Sequence, residues 1–291
     1  AKGLFSRVIA HSGADLSTTA EQAKSIGLRA AQMMRVEPTR AGWSQLSEDA
    51  ILDAQAALMP MDGAPPASPS EYVSGVLSGG ALGLPFIPSV GDEVLPFGIA
   101  DALARGIGSD VDLLAGTVAH EFTVAAAAAR EAWAGIDPVR ALVDGGVAPE
   151  VAAQYVTGHP ELSSTADICG QLVTDLSFRI PTLACADARA ERTWLYDFRW
   201  PESGTGLATH CIDLPFAWDL LDAEGVPAAL GPQPPQALAD EMHAAWVHFI
   251  RDGDPGWPEW DGTNARVFGA DATDSYRPEQ LLATSLSSAP E

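Results

Sequence analysis

The sequence predicts an α/β fold in which a mostly parallel sheet is flanked by helices. Three features point to it. The apolar runs RVIAH (residues 7–11) and VDLLAG (residues 111–116) lack polar alternation, as strands buried on both faces do. Segments with helical spacing alternate with these runs. Polar residues gather just past the C-terminal end of the second run, where open α/β sheets carry their chemistry. With 47% hydrophobic residues in 291, the chain can bury a sizeable core.

RVIAH closes on Ser12-Gly13, a turn, and residues 15–34 then carry helix formers at helical spacing. A second helix is expected over residues 44–58, with Ser47 able to cap it and Ile51, Ala54 and Leu58 on one face. Residues 59–70 are a Pro/Gly/Ala/Ser loop, and residues 86–98 (FIPSVGDEVLPFG) an ordered loop. After the strand at 111–116, residues 136–155 are helical with a break at Gly145-Gly146. Residues 172–187 form an apolar helix interrupted at Pro181, and residues 193–200 (TWLYDFRW) an aromatic strand. An amphipathic helix over residues 237–250 and a short apolar end at Val267-Phe268 complete the pattern. No repeat or interdomain linker appears.

Composition excludes several functions. Lys and Arg number 16 against 39 Asp and Glu, a net charge of −23 that repels phosphate backbones and anionic membranes. No nucleic-acid partner is expected, and no apolar run is long enough to span a membrane. The 3 cysteines, Cys169, Cys185 and Cys211, lack metal-type spacing and form no disulfide framework. Asp252-Gly253-Asp254 lacks the further ligands of a calcium loop. No metal and no cofactor is expected.

Serine-dependent ester hydrolysis needs an activated hydroxyl, an imidazole that moves its proton and a carboxylate that fixes the imidazole tautomer. Glu121 follows the strand at 111–116 and His210 follows the aromatic strand, so both lie in loops where their side chains can meet. The order acid, then histidine is the one that follows the serine in α/β hydrolases. No serine here has glycine both two positions before and two after it; Ser12 has Ala10 and Ala14 there. A lone Glu after a strand is more often a solvated loop carboxylate, and a lone His a surface or hydrogen-bonded core residue, so weight falls on the ordered pair. His11, His120, His159, His243 and His248 have weaker claims, and no partner can be named for His11 or His159.

KGLFSRVIAHSGA at residues 2–14 resembles the stretch following the nucleophile turn of type-B carboxylesterases, the family of bacterial para-nitrobenzyl esterases, carbamate hydrolases, cholinesterases and neuroligins. Phe86-Ile87-Pro88 with Asp92 resembles its Phe-x-Pro-x-x-Asp region, and LLAGTVAHEF at residues 113–122 its Gly-Thr-x-x-Asp-Glu-Gly segment. THCIDLPFAW at residues 209–218 is similar to its His-x-x-Glu-x-x-Phe segment, and residues 249–255 and 257–262 to its closing signature. The resemblance implies an α/β-hydrolase fold, with residues 1–291 forming the C-terminal part of one such domain. It assigns Glu121 as catalytic acid and His210 as catalytic histidine, Ser12 as a support for the acid, and Asp213 to a supporting position near the histidine. Leu82, Leu84 and Phe122 fall on the substrate pocket. The pattern departs at His120, Phe122 and Asp213, where the family has Asp, Gly and Glu. Val124 stands where cholinesterases place a choline-binding aromatic, which argues against a quaternary ammonium substrate.

The expected function is hydrolysis of carboxylic esters, with aryl carbamates as a second class, through an acyl-enzyme. The expected partners are a small-molecule ester and an N-terminal segment carrying the nucleophile and oxyanion hole, so the 291-residue chain alone is expected to be inert. The alternatives are an esterase-like interaction protein or a truncated remnant.

Overall fold

The computed structural model describes residues 3–13, 16–58, 68–80, 84, 86–189, 191–270, 276, 277, 279, 280, 282 and 283. Its strands are β1 (Arg7–His11), β2 (Thr18–Thr19), β3 (Ser89–Val90), β4 (Asp112–Val118), β5 (Thr193–Phe198) and β6 (Ala265–Phe268). The main sheet has the order β1-β4-β5-β6 with every pairing parallel, as the apolar runs predict. β4 and β5 occupy its centre and are almost wholly buried, so a polar alternation would have no wet face to serve. Short β2 and β3 pair separately, giving the expected 86–98 loop a strand fragment of its own.

The helices are α1 (Ala20–Met34), α2 (Arg40–Trp43), α3 (Glu48–Leu58), α4 (Pro69–Gly75), α5 (Ile99–Ala104), α6 (Pro138–Asp144), α7 (Pro149–Gly158), α8 (Thr165–Thr174), α9 (Ile180–Asp187), α10 (Leu214–Ala217), α11 (Val226–Leu230) and α12 (Gln236–Asp252). α1 begins later than residue 15 because Thr19 and Gln22 form a reciprocal capping box that fixes the start at Ala20. Ser47 caps α3 as expected, through Ala50 N–H at 3.2 Å, but Ile51 is exposed while Ala54 is buried. The predicted 59–70 loop lies largely outside the described residues, and its end is already helix, with Ser68 capping α4.

The break near Pro181 has a different form from the one expected. The chain runs on from α8 into a π-helical turn, Asp175–Arg179, and then α9, with Pro181 in the first turn of α9. Proline lacks the N–H that would bond one turn back, and the wider turn absorbs that mismatch without ending the helix.

Two core regions position the site. One joins Tyr196, Phe198 and Phe268 of the sheet to Met242, Trp246 and Phe249 of α12. Each fully buried apolar side chain of this kind contributes about 1.5–3 kcal/mol. The other packs α8 against Thr123–Ala129, a 3-10 helix that follows β4. Gly170 makes that approach possible, since a Cβ there would lie 1.9 Å from the Thr123 carbonyl oxygen. Among the described residues no helix is long and apolar enough to cross a membrane.

Candidate active site

β4 and β5 are neighbours and parallel, so the loops leaving their C-terminal ends emerge side by side. Glu121 lies in the first of these, three residues past the end of β4 at Val118, and its side chain is fully buried. Its Oε1 accepts the Val118 N–H at 3.0 Å. Its Oε2 lies 2.5 Å from Nδ1 of His210, in the loop after β5. The pair singled out from sequence order is thus brought together in space.

The loop carrying His210 is tied to Glu121 and its neighbour by backbone as well. His210 N–H donates to the Glu121 carbonyl at 3.2 Å, and His120 N–H donates to the Ala208 carbonyl at 3.0 Å. Ala208 N–H in turn donates to Nδ1 of His120 at 3.2 Å. His120, given only a weak chemical claim above, is therefore a strut for this loop.

Bonding through Nδ1 leaves Nε2 of His210 without a hydrogen-bond partner among the described residues, on a side chain 39% exposed. With Nδ1 protonated toward the carboxylate, Nε2 is the basic nitrogen. The hydrogen bond to Glu121 raises the imidazole pKa above its ordinary value; burial opposes it, and the charges of Glu121 and Asp213 reinforce it. The rings of Phe122 and Phe178 flank the imidazole at centroid distances of 5.1 and 5.5 Å and stack on each other. The structure thus brings Phe122 to the site. Phe178, in the π-helical turn, had no sequence signal; only the packing of α8 and that turn carries it there.

The other predicted positions divide. Asp213 is fully buried, with Oδ2 2.9 Å from Nδ1 of His11 and accepting the Tyr196 hydroxyl at 2.8 Å. His11, for which no partner was legible, is thereby placed. Ser12 does not bond to Glu121: its backbone is left-handed at φ 50°, its N–H donates to the Gly116 carbonyl at 2.8 Å, and both Glu121 oxygens are held elsewhere. The direct support expected from Ser12 is replaced by the Val118 amide. Leu84 is 40% exposed and joins none of the core clusters, and Leu82 lies outside the described residues.

Next to the site lies a second, buried polar cluster. Arg179 donates to Asp197 at 2.8 and 3.1 Å, to Glu279 at 2.6 Å and to the Val118 carbonyl at 3.2 Å. Burial pulls the Asp197 pKa up, but the adjacent Arg179 and Arg199 charges outweigh it and hold the carboxyl at about 2. His159, Asp175 and Glu279 bring ligand-type atoms within 4.8 Å of one another. Arg179 Nε, 2.6 Å from Glu279 and 3.8 Å from Asp175, already supplies the positive charge there, so the cluster reads as structural.

Comparison with known proteins gives the family and the fold. The model of the carboxylesterase family matches residues 1–271. The para-nitrobenzyl esterase of Bacillus subtilis (strain 168) is 26% identical over 277 residues, covering 89% of this chain and 52% of that protein. The phenmedipham hydrolase of Pseudarthrobacter oxydans is 26% identical over 224 residues, covering 70% of this chain and 45% of that protein. Among solved structures, the Geobacillus stearothermophilus carboxylesterase EST55 aligns with TM-score 0.73 at 23% identity, over 97% of this chain and 59% of the other. A PNB esterase aligns with TM-score 0.62 at 23% identity, over 89% and 52%. The chain thus spans about half the length of the relatives it matches. These likenesses show the α/β-hydrolase fold. With a family match over nearly all of its residues and the parallel sheet that fold requires, the chain belongs to the carboxylesterase family.

Proposed function

We propose that this protein contributes the acid and the base of a serine carboxylesterase, with the nucleophilic serine on polypeptide outside these 291 residues. The observation that carries the reading is the 2.5 Å contact between Glu121 and His210 Nδ1, made in loops leaving adjacent parallel strands. In this reaction Nε2 of His210 takes the proton of the serine hydroxyl as its oxygen attacks the ester carbonyl. Glu121 stays ionised and stabilises the imidazolium. Collapse of the tetrahedral intermediate expels the alcohol, which receives the proton from His210, and leaves an acyl-enzyme. Water, deprotonated by the same nitrogen, then releases the acid.

The substrates proposed are small carboxylic esters, with aryl carbamates as a second class, the latter favoured by the likeness to a phenmedipham hydrolase. Phe122 and Phe178 offer an aromatic wall against the imidazole for either. No serine in the sequence has the Gly-x-Ser-x-Gly setting, so the chain alone should be inert.

Intact-mass analysis after treatment with a fluorophosphonate tests this. The expected result is no adduct on the 291-residue chain and one adduct on a longer species containing it, lost in His210→Ala. An unlabelled complete protein would overturn the reading and favour an esterase-like interaction protein.

A further inference from the structure

His11, Gly116 and Tyr196 occupy one register row across β1, β4 and β5. His11 and Tyr196 are thus two strand spacings apart, about 10 Å between backbones. Their side chains nevertheless meet, with the Tyr196 hydroxyl 3.0 Å from His11 Nδ1. Gly116 between them explains how: a Cβ there would lie 2.3 Å from the Tyr196 ring, so only glycine lets the phenol cross β4. Asp213 completes the contact, its Oδ2 facing both His11 Nδ1 and the Tyr196 hydroxyl. On the far side of the imidazole, Trp246 Nε1–H from α12 donates to His11 Nε2 at 2.9 Å. An indole N–H can only donate, so His11 Nε2 is unprotonated and Nδ1 carries the proton toward Asp213.

Asp213 stands three residues after His210, at the start of α10, yet makes no side-chain cap there. Its carboxylate points instead into this network. Between the two residues, Cys211 is held at φ 68°, a conformation that non-glycine side chains seldom adopt. The His210 turn is therefore held at both ends, by His120 and Glu121 before it and by the His11–Tyr196–Asp213 cluster after it.

We propose that His11 is a positioning residue for His210: by holding Asp213 it fixes the strained turn that keeps the imidazole in register with Glu121. This rests on the esterase reading only for what His210 goes on to do. Among the described residues, the charged groups that face His210 are Glu121 and Asp213, and the Phe122 and Phe178 rings pack against its imidazole. Loosening the turn lengthens the Glu121 contact, the main influence raising the His210 pKa.

The test is an NMR titration of the His210 ring in the intact protein with isotope-labelled histidine, comparing His11→Phe and His11→Asn with the parent. In His11→Phe the midpoint is expected to fall toward the ordinary imidazole range. In His11→Asn, whose amide N–H stands close to where Nδ1–H does, most of the shift should return. An unchanged midpoint in His11→Phe overturns the proposal, and so does an equal fall in both variants, which would report general packing. If His11→Phe does not fold, Tyr196→Phe removes the other donor to Asp213 and must lower the midpoint; no change there also overturns it. The titration reads the imidazole without turnover, so a missing fluorophosphonate adduct would sink the esterase reading and leave this one to its own result.

Discussion

Two carboxylates, each hydrogen-bonded to a basic side chain, meet at a single residue, Val118. Its N–H goes to Glu121, partner of His210, and its carbonyl accepts from Arg179, partner of Asp197. In the second pair the guanidinium is 1% exposed and engages Asp197, Glu279, Thr117 and the Val118 carbonyl. In the first, only the carboxylate is sealed; the imidazole is 39% exposed, with one nitrogen unengaged among the described residues. A carboxylate held against a basic side chain is thus closed in one place and open in the other. A closed pair can only hold structure, since any proton or substrate would have to displace a buried hydrogen bond. The open pair has a basic nitrogen to offer.

The comparison predicts opposite responses to similar substitutions. Arg179→Met leaves Asp197 and Glu279 buried without their main counter-charge and should cost about 3–5 kcal/mol in urea unfolding. A loss under about 1 kcal/mol would show that the cluster is not closed. Acid should expose the same pair next. Asp197 is depressed to about 2 from an ordinary 3.8, so its contribution is present above 3.8 and fades as pH falls toward 2. That amounts to about 2 kcal/mol. Asp197→Asn should flatten the acid limb of a stability–pH curve over this window, and an unaltered slope would place the acid sensitivity elsewhere.

Tyr276→Phe removes a hydroxyl that donates to the Tyr196 carbonyl at 2.6 Å beside Arg179. About 1–2 kcal/mol should be lost, read as a lower thermal midpoint. The smallest stability effect is expected at the open pair. Glu121→Gln keeps an acceptor for the Val118 amide and should cost about 1 kcal/mol. Its effect on His210 should be plain, because the raised pKa depends first on Glu121. A histidine with a raised folded pKa adds stability below its unfolded value near 6.5, and that stability is lost as pH rises through the folded value. In Glu121→Gln this slope should disappear; its persistence would mean that Asp213 rather than Glu121 sets the imidazole.

Much of this was legible beforehand, for definite reasons. Strands buried on both faces announce themselves as unbroken apolar runs, as VDLLAG does; TWLYDFRW shows itself by its aromatic residues, while RVIAH, expected to be buried in the same way, is only partly buried at one side of the described sheet. Ser47 shows itself as a cap in the sequence, whereas the start of α1 is set by the Thr19 and Gln22 capping box, later than helical spacing alone implies. Proline at 181 predicts a break in the 172–187 segment, because proline usually breaks helices; a π-helical turn needs tertiary support that no local rule contains. At the site, Glu121, His210 and Phe122 came from order and resemblance. The places of His11, His120 and Phe178 did not, because each is set by contacts with residues distant in the chain.

By itself, then, the sequence determined the α/β class, the family pattern and the order of Glu121 and His210, proposed here as acid and base, since these reside in local hydropathy and in residue types at set positions. The tertiary structure alone decided that the Val118 amide, rather than Ser12, holds Glu121, that Gly116 lets Tyr196 reach His11, and that the Arg179–Asp197 pair is sealed while the Glu121–His210 pair stays open. Those outcomes depend on distances between strands and on what covers each charge, and such quantities exist only once the parallel strands have been set side by side.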